Sequence, residues 1–325
     1  MRYGRKIFYI TLPCISLIPC LVYLFLIENK EIQIPALPTE RRHQQDFIDH
    51  PVYDHGTLPP KVSTDKPQMI NVFKSSVIKT DKDNLCVNLK TPKGPTPICI
   101  FDPAVDRMIS SYVNDYGTWE QELLNETGYI LSKKPHLTFV DVGCNLGTFT
   151  LFNAKLGIRV IAIDALKPAL ERLELSLIKG GLRENVTILL NAISDKREHV
   201  AVHIVKDNPG GSYIEHNQTS GDNSIHAIIL DDIVSLVSSK SVFLKMDIEG
   251  NEYIALKAAS RFFQLLNVEH VLMEWAFHRF NPNGQYIIQF LLRNGMLPFE
   301  KLSSHSPLNL AKSYQWPDNI FWSKR

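Results

Sequence analysis

Thr138–Thr150 reads TFVDVGCNLGTFT, and this stretch of the sequence decides the fold. The apolar run Leu137–Val142, which contains Asp141, predicts a strand. Gly143 and Gly147 then predict a tight turn, and the residues that follow predict the start of a helix. In such a strand–turn–helix unit, glycine lets the backbone approach a ligand closely, and the first helical N–H groups are free to bind a polar or anionic group.

The residues after Gly143 exclude two common nucleotide-binding motifs. Cys144 and Asn145 come next, so the G-x-G-x-x-G dinucleotide motif is absent, and the chain contains no P-loop. Asp164 closes the next apolar run about twenty residues on, where a carboxylate can accept hydrogen bonds from both ribose hydroxyls of an adenosyl group. This pattern resembles the S-adenosylmethionine (SAM) site of class I methyltransferases. An ordinary strand–helix turn followed by an unrelated acid is the alternative interpretation.

A second stretch, Ser241–Leu256, reads SVFLKMDIEGNEYIAL and makes the resemblance more specific. Together with the glycine turn, NAISD at Asn191–Asp195 and ILDDI at Ile229–Ile233, it resembles the FkbM-type family of SAM-dependent O-methyltransferases. The most specific part is the block Lys-hydrophobic-Asp-hydrophobic-Glu-Gly-x-Glu. The resemblance covers about Tyr116 to Phe277, which is half of the chain.

This resemblance implies a set of cofactor-binding residues and an acceptor class. The predicted SAM-binding residues are Glu120, Asp141, Gly143, Asn145, Gly147, Asp164, Asn191 and Ala192. For Glu120, a solvated position on a helix is an alternative. The acceptors implied by the family are hydroxyl groups of sugars and similar polyhydroxylated compounds.

Transfer of a methyl group to a hydroxyl requires a base that takes the hydroxyl proton. The predicted catalytic residues are Asp247, Glu249 and Glu274, which end two neighbouring strands. Because side chains alternate along a strand, Asp247 and Glu249 lie on the same side. Two close carboxylates repel, so one of them is expected to hold a proton near neutral pH, unless a cation neutralises them. Lys245 is the candidate for this cation, and a purely structural salt bridge is the alternative interpretation of this lysine. Asp247 is the first candidate for the base, and His278 is an alternative.

Further carboxylates raise the question of a metal ion. Asp231 and Asp232 end another apolar run and are expected to face the same crevice. Oxygen ligands of this kind suit magnesium or calcium, so a divalent metal is possible. However, no spacing in the sequence indicates such a site, and there is no Cys/His zinc pattern.

The remaining elements predict the fold class. From residue 116 onward, helical and strand patterns alternate, with helices at Thr118–Ser132 and Asn251–Leu265 among them. This alternation predicts an α/β domain over 116–325 with a doubly wound, mostly parallel, Rossmann-like sheet. Residues 70–115 are expected to form an N-terminal extension with short strands and, near Val200–Ile204, the sequence predicts an extra hairpin.

The N-terminus predicts a membrane anchor. Residues 7–27 are apolar and uncharged, and they follow a tail, residues 1–6, that contains Arg2, Arg5 and Lys6. The positive-inside rule then predicts a single-pass type II protein with its catalytic domain in the lumen of the Golgi or endoplasmic reticulum. A cleaved signal peptide is the alternative. Residues 28–69 are polar and proline-rich and are expected to form a stem.

If the domain lies in the lumen, its cysteines can form a disulfide and its N-x-[ST] motifs can be glycosylated. Cys86 and Cys99 are left as a pair once the cysteines of the anchor and of the glycine turn are set aside, so a disulfide is expected. Two buried free thiols are the alternative. The predicted glycosylation sites are Asn125, Asn185 and Asn217.

The net charge of +1, with no basic block in the folded part, argues against nucleic acid as a partner. The sequence therefore predicts a membrane-anchored, luminal SAM-dependent O-methyltransferase whose acceptor is a glycan. Two alternatives remain: an enzyme that methylates a lipid or small metabolite, and a non-catalytic SAM-fold domain that binds a partner at the membrane.

Overall fold

The computed structural model describes residues 69–74, 85–215 and 224–324. The strands are β1 Leu85–Leu89, β2 Thr96–Ile100, β3 Thr138–Val142, β4 Val160–Asp164, β5 Val186–Leu190, β6 Ala192–Ile193, β7 Glu198–His203, β8 Tyr213–Glu215, β9 Ser224–Ile228, β10 Ser241–Met246, β11 Asn267–Glu274, β12 Met296–Phe299 and β13 Asn319–Lys324. The α-helices are α1 Ile109–Tyr116, α2 Gln121–Lys133, α3 Thr148–Lys155, α4 Lys167–Lys179, α5 Glu252–Lys257, α6 Ser260–Leu265 and α7 Asn283–Arg293.

A seven-stranded sheet forms the centre of the molecule, in the order β12-β13-β11-β10-β3-β4-β5. Strands β5, β4, β3, β10 and β11 are parallel, whereas β13 is antiparallel to both of its neighbours. The chain runs outward from β3 in one direction and from β10 in the other. The carboxyl ends of β3 and β10 therefore border a topological switch point, which is where open α/β sheets bind ligands. The predicted doubly wound, mostly parallel sheet is confirmed.

Both faces of this sheet are covered. Phe139 of β3 packs in a core with residues of α3 and α4, such as Phe152 and Leu173. The next residue, Val140, packs in a second core on the other face with residues of α5 and α6. The alternation of side chains along a buried parallel strand accounts for this division. A separate four-stranded sheet, β6-β9-β7-β8, contains the extra hairpin expected from the sequence.

The extension before the first long strand packs on the same core. Strands β1 and β2 form an antiparallel hairpin in which Cys86 pairs with Cys99, and a disulfide joins these two residues. The Cys99 N–H donates to Ser176 Oγ of α4 at 2.8 Å, and Arg172 Nε of α4 donates to the Ile100 carbonyl at 3.1 Å. The hairpin therefore packs against the helices of the central sheet rather than forming a separate module.

Replacing both cysteines of this hairpin by serine should lower the free energy of unfolding by about 3 kcal/mol, because the crosslink restricts the unfolded chain. The closed loop is short, with a sequence separation of 13 residues. Urea unfolding measures the change. Reductant should destabilise the wild type to the same extent and leave the Cys86→Ser/Cys99→Ser variant unchanged. An unfolding midpoint that reductant does not move would contradict this expectation.

Residues 69–74 form an edge clip on the opposite border of the central sheet from β12. The Phe73 N–H donates to the Ile188 carbonyl of β5, and the Leu190 N–H donates to the Asn71 carbonyl, both at 2.9 Å. The clip thus satisfies backbone groups of β5, which is otherwise an edge strand.

Two expectations about local structure were wrong, and one helix was not predicted. The helix predicted over Asn251–Leu265 is divided into α5 and α6, because Asp231 Oδ1 accepts a hydrogen bond from the Phe262 N–H at 2.6 Å and caps α6. Asp231 and Asp232 belong to a 3-10 helix, Leu230–Leu236, rather than to a strand end. Helix α1 was not predicted; the buried carboxylate of Asp106 caps its first turn.

Within the described ranges, no helix has the length and hydropathy needed to cross a bilayer. The predicted anchor at residues 7–27, the stem up to residue 68 and the sequon at Asn217 lie outside those ranges. Of the other two sequon asparagines, Asn125 is exposed on α2 and Asn185 is half-buried beside β5.

Candidate active site

The glycine turn after β3 has left-handed backbone at three residues. The φ angles are 75° at Gly143, 51° at Asn145 and 82° at Gly147. Gly143 is also packed against the neighbouring strand end, since a Cβ atom there would lie 1.8 Å from the carbonyl oxygen of Asp247. The end of β10 can approach the turn this closely only because residue 143 has no side chain.

Asp164, at the end of β4, holds the glycine turn from the other side. Its Oδ2 accepts a hydrogen bond from the Asn145 N–H at 2.8 Å, and its Oδ1 accepts one from the Leu166 N–H at 2.7 Å. Burial raises the pKa of this carboxyl above its ordinary value, although the two N–H groups oppose the shift. Each oxygen keeps a further lone pair for a ligand hydroxyl.

Asp164→Ala should weaken SAM binding by about 2–3 kcal/mol, because Asp164 is predicted to accept two charge-assisted hydrogen bonds from the ribose and also holds the glycine turn. Calorimetric titration with SAM measures the change. Asp102→Ala is a suitable control, since Asp102 also accepts a hydrogen bond from a backbone N–H, at 2.9 Å, but in an exposed turn. Unchanged SAM affinity in Asp164→Ala would show that Asp164 does not bind the ribose.

One lysine lies at the centre of the carboxylates at the strand ends. Lys245 Nζ is 3.2 Å from Asp247 Oδ2 and 3.7 Å from Asp141 Oδ1, and the lysine is buried. Burial lowers the pKa of Lys245, but Asp247, Asp141 and Glu120 outweigh this effect and hold the pKa above its ordinary value. The lysine therefore stays charged and neutralises part of the cluster through Asp247 and Asp141.

The other carboxylates of the cluster hold protons more tightly than free glutamate does. Burial and the charge of Asp247 raise the pKa of Glu120 to about 7 and that of Glu249 to about 7. Burial, followed by Asp247 and Glu249, raises the pKa of Glu274 to about 10. At neutral pH Glu274 is therefore protonated and suits a hydrogen-bond donor, whereas Glu249 is poised to accept a proton.

The structure brings most of the predicted site residues together around the ends of β3, β10 and β11. Asp141 accepts a hydrogen bond from Thr150 Oγ1 at 2.6 Å. Glu120 precedes α2 and accepts a hydrogen bond from Asn319 Nδ2 of β13 at 3.3 Å. Asn319 has no signal in the sequence, because its role depends on a strand that returns from the far end of the chain.

Other predicted residues have structural partners. The side chain of Asn191 donates to the carbonyls of Met69 at 2.9 Å and His226 at 3.0 Å and accepts from the Asn71 N–H at 2.9 Å. The Asn191 side chain thus holds residues 69–71 of the edge clip in place. The backbone N–H of Asn191 donates to the Asp164 carbonyl at 3.1 Å, which keeps Asn191 and the next residue, Ala192, beside the end of β4.

Two expectations about acidic residues and histidine need correction. Asp231 caps α6, and Asp232 Oδ1 is 2.5 Å from Arg197 Nη2, so both carboxylates have structural partners and do not join the cluster. His278, the alternative base, is 2% exposed, and its Nε2 is 2.7 Å from Glu252 Oε2. Burial keeps this imidazole away from an acceptor.

The cluster offers unmet hydrogen-bonding capacity to a ligand. Within the part of the chain that the structure describes, Asp141 Oδ1 and Glu274 Oε2 are buried and accept no hydrogen bond. Carboxylates outnumber the single lysine, so a cationic ligand with N–H and O–H donors fits the site, as a sulfonium nucleoside does. Among the same residues, no group of three or more His, Cys, Asp or Glu side chains is arranged to hold a metal ion.

The strand order, the glycine turn and the acids beside it define a class I SAM-dependent methyltransferase. Residues 141–297 match the model of the methyltransferase FkbM domain. This part of the chain therefore belongs to the FkbM methyltransferase family, as its sequence predicted, and its cofactor is SAM.

Several solved structures are similar to this chain. An rRNA methylase from Streptococcus thermophilus is 13% identical, with a TM-score of 0.35, over 61% of this chain and 93% of the methylase. A SAM-dependent O-methyltransferase from Thermotoga maritima is 13% identical, with a TM-score of 0.37, over 73% of this chain and 77% of its own. A methyltransferase from Geobacter sulfurreducens is 13% identical, with a TM-score of 0.38, over 70% of this chain and 91% of its own. No curated protein gives a significant match.

Proposed function

We propose that this methyltransferase transfers the methyl group to a hydroxyl of a sugar, most simply on a glycan. The observation that carries the proposal is the carboxylate cluster beside the glycine turn, in which Glu249 has a pKa of about 7. An alcohol must lose its proton during methylation, and a base whose pKa is near the working pH removes it best. The acids also suit an acceptor with several hydroxyls, because carboxylates accept hydrogen bonds from neighbouring O–H groups.

The residues take distinct roles in this proposal. Asp164, beside the glycine turn, holds the nucleoside, and Lys245 pairs with Asp247 and orients its carboxylate. The chemistry that the bound cofactor supplies is an electrophilic methyl group on a sulfonium. Glu249 takes the proton of the acceptor hydroxyl, and protonated Glu274 donates a hydrogen bond at the same strand ends. Positioning of the acceptor oxygen contributes much of the acceleration.

Incubation of the full-length protein with SAM and a mixture of released glycans tests the acceptor class. Mass spectrometry should find glycans that have gained one methyl group, and Asp164→Ala should reduce this product. A parallel incubation with a lipid extract and with small metabolites supplies the comparison. Methylation confined to the lipid or metabolite fraction would contradict the glycan assignment while leaving the methyltransferase class intact.

The proposed location is the lumen of the Golgi or endoplasmic reticulum, with residues 7–27 as a type II anchor. The apolar run with its basic N-terminal flank supports this location. The disulfide between Cys86 and Cys99 also supports it, since disulfides persist in oxidising compartments. Protease added to sealed microsomes should leave everything beyond about residue 30 intact. Digestion of the folded part without detergent would refute the topology.

A further inference from the structure

The turn between β10 and α5 carries the proposed base in a conformation that is unfavourable for a side chain. Glu249 has φ 55° and Gly250 has φ 86°, so two successive residues are left-handed. For a residue with a Cβ atom this conformation is sterically unfavourable. Such residues persist only where surrounding contacts hold them, and they are concentrated at functional sites.

A buried pair, Glu252 and His278, supplies such a contact. Glu252 Oε1 accepts a hydrogen bond from the Ile248 N–H at 2.9 Å, directly before Glu249. Glu252 Oε2 lies 2.7 Å from His278 Nε2, in the segment that follows β11. Glu252 is 0% exposed and His278 is 2% exposed, so the bridge is shielded from water. One carboxylate therefore joins the turn after β10 to the turn after β11.

The segment around His278 is itself held in place by close packing and a backbone hydrogen bond. A Cβ atom at Gly284, in the first turn of α7, would lie 2.5 Å from the His278 carbonyl oxygen, so the helix packs closely beneath the segment. The Trp275 N–H donates to the Asp318 carbonyl at 2.5 Å. On the outer side, a Cβ atom at Gly250 would lie 3.2 Å from Phe277 Cβ. The turn is therefore clamped between the buried pair and Phe277.

We propose that Glu252 and His278 are positioning residues that hold the Asp247–Gly250 turn so that Glu249 meets the acceptor hydroxyl. The inference rests on the proposed function in one respect, namely that Glu249 is the base. Neither residue is assigned a contact with the acceptor, because both carboxylate oxygens of Glu252 and Nε2 of His278 are engaged within the protein. Their role is to keep the base in a left-handed conformation that the free turn would leave.

Glu252 also acts on the base through its charge. Burial, Asp247 and Glu252 raise the pKa of Glu249, while Lys245 opposes them. Glu252 acts in the same direction on Glu274. The other charged groups that face this cluster are Asp141 of β3 and Glu120 before α2. Removing the charge of Glu252 should therefore lower the pKa of Glu249 and move the acidic limb of the rate profile to lower pH.

Two substitutions of His278 that differ in side-chain length distinguish a role in positioning Glu249 from a general contribution to stability. In the full-length protein, His278→Asn is too short to reach Glu252, whereas His278→Gln places an amide near the position of Nε2. Turnover per SAM-binding site should fall about 10-fold or more in His278→Asn and stay within about 3-fold of wild type in His278→Gln. SAM affinity should be unchanged in both. Glu252→Gln should retain turnover at its optimum but shift the acidic limb to lower pH.

Glu174→Gln is the matched control, since Glu174 is 6% exposed and pairs with Arg183 Nε at 2.9 Å on α4. It should lower stability without changing turnover per site or the pH profile. Hydrogen exchange of the peptide that contains residues 247–251 provides a readout independent of turnover. Exchange there should be faster in His278→Asn than in wild type, and His278→Gln should restore slow exchange.

Equal turnover and equal exchange in His278→Asn, His278→Gln and wild type would overturn the positioning role. Losses of turnover that also occur in Glu174→Gln would overturn the positioning role as well. If the wild type methylates no glycan, the proposed function fails instead, and the exchange comparison alone supports or overturns the clamp on the turn.

Discussion

Glu249→Gln should fold and bind SAM with normal affinity but lose about 100-fold or more of its turnover, the usual scale for loss of a general base. The reason is that glutamine cannot take the proton of the acceptor hydroxyl. Glutamine has nearly the same shape, so the left-handed turn and its contacts remain. A loss of rate at constant SAM affinity identifies a group that acts in the transition state.

The same base sets the pH dependence of the wild type. Glu249 must be ionised to act, and its pKa is about 7, so turnover should rise with pH through about 7. Glu274, with a pKa of about 10, loses its proton only in alkali, which should end the rise with a descending limb near pH 10. Steady-state rates from pH 5 to pH 11 measure both limbs.

Asp247→Asn is the informative comparison. Asp247 was the first candidate for the base from the sequence, but its carboxylate lies 3.2 Å from Lys245 Nζ and raises the pKa of Glu249. Its replacement should cost about 10-fold in turnover and move the acidic limb to lower pH, because Glu249 becomes a weaker base. A loss of turnover in Asp247→Asn that equals or exceeds that in Glu249→Gln would return the role of base to Asp247.

Gly143→Ala should abolish SAM binding and destabilise the fold by about 3 kcal/mol or more. The added Cβ atom would lie 1.8 Å from the Asp247 carbonyl oxygen, so β10 or the glycine turn must move. The left-handed φ of 75° adds its own strain. Urea unfolding and calorimetric titration with SAM measure the two effects.

Gly157→Ala is a control that introduces the backbone strain of a left-handed alanine without the steric clash expected in Gly143→Ala. Gly157 has φ 92°, but a Cβ atom there would have no other atom within 4 Å. This control should lose only about 1–2 kcal/mol of stability and keep its SAM affinity. Equal losses in the two variants would mean that the close approach of the strand ends does not matter for binding.

The central unit was predictable from the sequence because its signals are local. The fully buried run of β3, the two glycines and the acid at the end of β4 can each be recognised from a few neighbouring residues. The same holds for Asp247 and Glu249, which a single motif of eight residues contains. Local patterns also predicted the boundaries of β5 correctly, at Val186–Leu190.

What the sequence could not predict depends on contacts between distant residues. Helix α6 begins where it does because Asp231, thirty-one positions away, takes the Phe262 N–H. The motif Glu-Gly-x-Glu contains Glu252, but only the fold reveals that its partner is His278, twenty-six positions away. The raised pKa values likewise arise from burial and from charges on separate strands, so no local pattern reports them.

The edge clip at residues 69–74 sets a practical limit on where an expressed fragment can begin. A fragment that starts at residue 75 would open the backbone groups of β5 to pairing with another chain, which favours aggregation. It would also deprive Asn191 of its bonds to Met69 and Asn71, two of the three that its side chain makes. A soluble fragment for crystallisation or assay should therefore start before Met69, even though the motif-bearing part of the sequence begins some seventy residues later.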